Sequence, residues 1–364
     1  MLTKFIALAK GVLLSVSATD MATLTRQAQN GDAAAQVDLA HEYYQQGNHA
    51  KAVEWYTKAA NQGYAQAQFN LGLMYKQGKG VRQDYQKAVE WFTKAAGQGD
   101  AKAQLNLGVM YAEGHGVRQD YQKAVEWFTK AAHQGHAAAQ HNLGVMYENG
   151  NGVRQDHQKA FEWYTKAAHQ GLAKAQYNLG QMYDDGIGVL QDHQKAHEWY
   201  TKAANQGHVE AQTILGAMYA EDQGVSQDYQ KTVEWITKAA QQGIATAQYN
   251  LGWMYALGKG VRQDDQKAFE WFTKAANQGD AVAQYYLGGM YENGLGVRQD
   301  HQKADEWYTK AASQEYAGTQ DNLGLMYDNG KGVRQNKSTA KRYFVQACDY
   351  GEQSGCANYR ILKY

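Results

Sequence analysis

The chain has 364 residues, 36 basic and 36 acidic side chains, and therefore no formal net charge. Balanced charge leaves no basic footprint of the kind nucleic acid needs, so no nucleic-acid partner is expected. The length alone would suggest two or three globular domains, but internal repetition overrides that. Trp55, Trp91, Trp127, Trp163, Trp199, Trp235, Trp271 and Trp307 stand 36 residues apart without slippage. A fixed period of that size marks a solenoid or array.

Taken in order, the chain opens ambiguously. Lys4 precedes an apolar run, and Val16-Ser17-Ala18 has the small residues of a cleavage site. Residues 1–18 are therefore read as a secretory signal, which places the protein in a secreted or periplasmic setting. An ordinary first helix on a cytoplasmic protein is the alternative. Phe5 to Ala18 is too short to cross a bilayer as a helix, so no transmembrane segment is expected. Residues 21–364 read as a single solenoid of about nine repeats with terminal caps. Met21–Asn30 aligns with the later second helices and is expected to cap the array. The first full unit, Ala33–Ala60, is shortened at Gln45-Gln46-Gly47-Asn48, where a G-x-G-V insertion is missing. Seven full units follow, from Ala65 to Ala312. Asp222 and Glu315 replace turn glycines in two of them. The last unit, Ala317–Ala347, has Tyr343 where tryptophan is due and Asn336 where aspartate is due. Gln353–Leu362 reads as a final first-type helix, and departures of this kind suit a terminal cap.

Each repeat is two helices. Near Ala101–Glu113, the residues Ala103, Leu107, Met110 and Tyr111 make an apolar stripe of helical period. Gly114 is placed to end that helix in the left-handed conformation. Asp120 stands where an N-cap belongs, and its carboxylate can accept free amides of the second helix, near Tyr121–Ala132. Ala124, Trp127, Phe128 and Ala131 fall on one side of it. Gly108 recurs mid-helix in every unit, where glycine costs about 1 kcal/mol relative to alanine. A bulky ring, the tryptophan of the paired helix, is expected against that bare backbone. One helix pair cannot bury such a face, so the units must stack.

The blocks L-G-x-M-Y, G-x-G-V and A-x-E-W-[YF]-T-K-A-A resemble the Sel-one-like repeat, a relative of the tetratricopeptide repeat. The period of 36 and the absence of proline favour this branch. The resemblance implies an all-α fold, a right-handed α/α superhelical solenoid of stacked antiparallel helix pairs. It also implies a scaffold or adaptor that binds a protein or peptide segment in its concave groove, and, for exported bacterial members, contact with envelope or host proteins. No cofactor is implied, and a monomer is expected. Cys348 and Cys356 flank the turn between a second helix and the next first helix, close enough for a disulfide. Cysteine-rich relatives staple neighbouring helices at this spacing; two buried free thiols are the alternative.

Those relatives also raise β-lactam binding or hydrolysis as a second functional class. Ser338-Thr339-Ala340-Lys341 matches S-x-x-K, yet neither S-D-N nor K-T-G accompanies it. Ser338 is read as a capping or surface residue, and no catalytic residue is assigned. His193 and His197 have i, i+4 spacing, with His157 one repeat earlier, but no complete ligand set supports a metal. Loops such as Glu148-Asn149-Gly150 lack the alternating carboxylates of a calcium loop.

Variation among the repeats locates the expected binding surface. The Phe69 series includes Tyr177, Tyr249 and Tyr285, and the Leu73 series includes Trp253, the one tryptophan outside the period. These positions form a second stripe on the first helix, expected to face the groove by analogy with tetratricopeptide-like solenoids. Tyr286 stands beside it where asparagine is usual. Clustered aromatics are favoured hot spots. Asn70, Asn106, Asn142, Asn178, Asn250 and Asn322 border the stripe and could bond a peptide backbone. Local packing without a ligand is the alternative reading.

Overall fold

The computed structural model describes residues 18–314 and 316–362. Among them are 20 helices and no strand, an all-α repeat solenoid. Of the signal reading of residues 1–18, residues 1–17 lie outside the described residues, as does Glu315.

The chain divides into two compact units. The first reaches Ala175 and takes in residues 187–189. It holds α1 (Ala18–Gln29), α2 (Ala33–Gln45), α3 (His49–Asn61), α4 (Ala65–Gln77), α5 (Tyr85–Gly97), α6 (Ala101–Glu113), α7 (Tyr121–His133), α8 (Ala137–Asn149) and α9 (His157–His169). The second unit, Gln176–Gly186 and Leu190 onwards, holds most of α10 (Ala173–Asp185). It continues with α11 (His193–Asn205), α12 (Val209–Glu221), α13 (Tyr229–Gln241), α14 (Ala245–Leu257), α15 (Asp265–Asn277) and α16 (Ala281–Asn293). It ends with α17 (His301–Ala312), α18 (Ala317–Asn329), α19 (Lys337–Asp349) and α20 (Gln353–Leu362). From α2 onward, even-numbered helices are the first of each pair and odd-numbered helices the second; α1 is the lone second-type cap.

The G-x-G turn has two separate reasons for its glycines. Gly114 ends α6 in the left-handed conformation, φ 71°, and returns its N–H to the Met110 carbonyl. A side chain on Gly116 would put its Cβ 2.4 Å from the Tyr85 carbonyl, in the preceding repeat. The first glycine closes a helix and the second lets two repeats touch through bare backbone. Asp222 is the single non-glycine residue at positive φ among the described residues. Its Oδ1 accepts the Gln227 amide at 3.1 Å, a local bond that eases the left-handed conformation.

The expectation for the mid-helix glycine needs correcting. The ring over Gly108 is Phe128, not Trp127, and a Cβ there would meet it at 2.6 Å. Phe92, Phe128, Tyr164, Tyr200, Ile236, Phe272, Tyr308 and Phe344 fill this role in successive repeats. Helical geometry accounts for it: one residue further on, the side chain swings about 100° from the rim into the seam between paired helices. Trp127 stays half-buried at the margin of the preceding repeat's core, with Lys130 Nζ 4.1 Å from its ring.

Buried glutamines tie repeats together. Gln68 donates to the Ala60 carbonyl at 3.2 Å and its Oε1 accepts from Gln98 at 2.8 Å. The same pair of bonds recurs at Gln104, Gln140, Gln212 and Gln248. Each glutamine thus satisfies a carbonyl at the end of the preceding repeat and is itself held by the glutamine that closes its own repeat, as a buried amide must be. At the last junction Cys348 and Cys356 occupy the positions of Ala60 and Gln68. They are disulfide-bonded with Cα atoms 4.6 Å apart, so a covalent link replaces the hydrogen bond across the same turn.

Candidate functional site

Within the second unit, α14, α15 and α16 line an open, largely apolar cavity of about 450 Å³ that α17 and α18 also reach. The floor is the ring of Phe272, held by contact with Gly252 on α14. Trp253 stands over it edge-on, with ring centroids 6.1 Å apart. Tyr286 closes against both, at 4.6 Å and 75° to Trp253 and 5.9 Å and 23° to Phe272. Tyr285 lies T-shaped to Tyr286 at 5.2 Å and tilts against Tyr308 and Tyr316. Trp253 Nε1 donates to the Tyr249 hydroxyl at 2.6 Å, which fixes the indole. Gly289, facing the indole one repeat on, leaves room for the cavity.

Burial raises the pKa of Tyr249 and Tyr285, and burial together with Glu292 raises that of Tyr308, so these hydroxyls are neutral donors near pH 7. Tyr308 uses its proton on Glu292 Oε2 at 2.9 Å. Negative charge in the lining comes from Asp265 and Glu292; among the described residues no lysine, arginine or histidine lines the cavity. Leu257 and Leu295, 56% and 47% exposed, form an apolar lip.

Of the residues expected from sequence, Tyr249, Trp253, Tyr285, Tyr286 and Asn322 are brought together here. They are half-buried rather than freely exposed. Phe69 and Tyr177 are not part of the cluster: Phe69 tilts against Phe92, and Tyr177 stacks on His208 at 4.6 Å. The asparagine row is largely occupied with its own chain. Asn106 accepts from Lys76 Nζ and donates to the Lys102 carbonyl, and Asn142 bonds His141 Nδ1. Asn178 also has a partner. Asn250 is half-buried beside Tyr249, and Asn70 lines a smaller cavity in the first unit.

Sequence reading missed Leu257, Asp265, Gly289, Glu292 and Leu295. The signal was available for most of them. Leu257 is the one apolar residue in the series Gln77, Glu113, Asn149, Asp185, Glu221, Leu257, Asn293, Asn329. Asp265 is the one acid in the series Tyr85, Tyr121, His157, His193, Tyr229, Asp265, His301, Lys337.

The motifs set aside on sequence grounds are occupied elsewhere. Ser338 is exposed in the first turn of α19, which Asn336 caps, and Lys341 Nζ lies over the Tyr359 ring. His193 bonds Asp184 and His197 bonds the Tyr219 hydroxyl. Among the described residues no group of three or more His, Cys, Asp or Glu is placed to hold a metal, and no helix is long and apolar enough to cross a membrane.

Comparison with known proteins agrees with this architecture. The Sel1 repeat matches residues 33–64, 65–100, 101–136, 137–172, 173–208, 209–244, 245–280, 281–316 and 319–351. The protective antigen c5321 of uropathogenic Escherichia coli, which displays an SLR fold, is 33% identical with a TM-score of 0.74. That alignment covers 94% of this chain and 90% of the other. A Sel1 repeat protein from Oxalobacter formigenes is 36% identical with a TM-score of 0.65, covering 88% of this chain and 92% of its own. No curated protein matches. The chain belongs to the Sel1 repeat family.

Proposed function

We propose that the chain is a non-enzymatic scaffold that binds a segment of another protein, and that the aromatic cavity between α14 and α16 is where it grips. The observation that carries this is the gathering of Trp253, Tyr285 and Tyr286 around unfilled volume, with Trp253 and Tyr286 at positions where no other copy carries an aromatic of that kind. A ring cluster that leaves a cavity offers a partner the desolvated, aromatic anchor typical of hot spots. Sel1 repeats commonly mediate protein–protein interaction, which supports the same reading. The Cys348–Cys356 bridge suits an oxidising compartment, and the likeness to a protective antigen of a pathogen supports an exported protein in contact with envelope or host proteins.

Selection of a displayed random-peptide library on the purified protein tests this. Enriched peptides should bind the wild type and lose about tenfold or more in affinity against the folded Trp253→Ala/Tyr285→Ala double variant, since truncated hot spots cost 2 kcal/mol or more. Equal binding by the double variant would move the site elsewhere.

A further inference from the structure

Eight near-copies of one repeat supply an internal control. At most surface positions the copies differ by tolerated exchange, but around this cavity the exchanges share a direction. Trp253 replaces smaller residues, Leu257 replaces polar ones, Leu295 stands where all copies but Ile187 are polar, Tyr286 stands where asparagine is usual, and Gly289 removes the side chain that would fill the space. Asp265 then introduces an acid.

The charge at that place is reversed relative to the neighbouring copy. One repeat earlier, Tyr229 occupies the position of Asp265, and Lys259 lies over its ring at 5.3 Å. At the cavity the lysine position is Leu295 and the ring position is Asp265. No lysine, arginine or histidine nitrogen among the described residues lies within ion-pair distance of Asp265 or Glu292. Aromatic faces and half-buried carboxylates in one cavity, without an internal cation, make an environment electrostatically suited to a positive charge on an apolar stem.

Building on the scaffold reading above, we propose that the cavity receives the basic side chain of a protein partner, an arginine or lysine. Its stem packs on Leu257 and Leu295, its cation meets the rings of Trp253, Tyr285 and Tyr286, and Asp265 and Glu292 answer the charge. Arginine fits best, because its planar guanidinium both stacks on a ring and bonds a carboxylate.

The test titrates the full chain with short synthetic peptides that differ at one central residue: arginine, lysine, citrulline, leucine or glutamate. Choline chloride is the small-molecule arm. The arginine peptide should bind about tenfold tighter than its citrulline twin, the scale of a desolvated cation–π contact with a charge partner. Asp265→Asn should remove most of that difference while leaving the leucine peptide unchanged, and added salt should do the same to the wild type. The salt series stands even if the variant folds poorly. Equal affinity for the arginine and citrulline peptides, or insensitivity to both salt and Asp265→Asn, overturns the basic side chain as occupant. If the leucine peptide binds best and Trp253→Ala abolishes it, the cavity survives as an apolar anchor and only the cation is lost. Choline binding more tightly than any peptide would assign the cavity to a quaternary ammonium ligand instead. Failure of every probe to bind overturns both the occupant and the cavity.

Discussion

The same place in the repeat forms a cavity in the first unit and another in the second, and the two copies differ in character. In the first unit it is lined by His41, Tyr44, Tyr56, Asn70, Leu73, Met74 and Gln77 and encloses about 190 Å³. In the second, the residues in register with these are Trp253, Ala256, Phe272, Tyr286, Gly289, Met290 and Asn293, and the volume is about 450 Å³. Tyr44 fills what Ala256 leaves open. Its hydroxyl takes a bond from Lys79 Nζ at 2.7 Å and its ring lies 4.8 Å from His49. Lys79 and His49 are in register with Leu295 and Asp265. The first copy fills the space with a tyrosine held by a lysine, and the second carries neither. Helices of one repeat pattern can therefore make a narrower or a wider cavity, and three or four side chains decide which.

The strongest way to break the comparison is at the floor. Phe272 and its counterpart Tyr56 are both almost fully buried. Phe272→Ala should cost about 3–5 kcal/mol, the range for an aromatic core truncation. Because array stability is roughly a sum of repeat and interface terms, urea unfolding followed by circular dichroism should show that loss in the second unit. A midpoint within error of wild type would mean the ring is not core. Trp271→Ala should cost clearly less, since its indole sits half-exposed under Lys274.

A covalent contrast comes next. Removing the bridge with Cys348→Ser/Cys356→Ser should cost about 2 kcal/mol, because the closed loop is short. Internal junctions, held at the same two positions by a glutamine–carbonyl bond, set the floor to which that junction would fall. Thiol titration of the unfolded, unreduced wild type should find no reactive group; two would refute the bridge.

Closing the cavity sharpens the comparison with little effect on the fold. A Cβ at Gly289 meets only the Tyr308 hydroxyl at 3.5 Å, ordinary contact. Gly289→Leu restores the residue found at Leu73 and should gain several tenths of a kcal/mol in helix propensity. The same change should reduce peptide binding by about tenfold or more, worth roughly 1.4 kcal/mol. Retained binding would show that peptides dock outside the cavity.

How much of this could be read from the chain follows from what repetition reveals. Period, helix pairing and helix caps are written in register, so each could be read from one copy and checked on the others, and the Cys348–Cys356 junction could be placed by its register with them. Trp127 was misread for a physical reason. It is the most conspicuous residue of the period, but its place on the helix leaves it half-buried at the rim, while Phe128, one residue on, packs against the bare backbone of Gly108 and holds the core. Around the cavity, Trp253 and the tyrosines could be found because aromatics stand out. Gly289 and Asp265 could not be weighed without knowing that one faces the indole and the other lost its lysine.

The smallest expected effect contrasts the repeat at the first unit's start with one near the second unit's end. Val53 and Asp305 are the same position of the second helix. Val53 is buried in its core, whereas Asp305 has Oδ1 buried without a hydrogen-bond partner. Burial raises the Asp305 carboxyl pKa, with Glu306 adding to it. Folding thus favours the protonated form. The protonated acid imposes no such cost below the unfolded pKa; destabilisation develops as pH rises through the folded value and is complete above it. Part of the side chain meets water, so the cost of the unpaired acceptor is set at the low end, about 1 kcal/mol. Asp305→Val should stabilise the protein by that amount at pH 7 and by little near pH 3. Unfolding midpoints for the pair across that range check it: a gap independent of pH would mean that Asp305 acts by shape alone, and a less stable variant at pH 7 would mean that the carboxylate is satisfied.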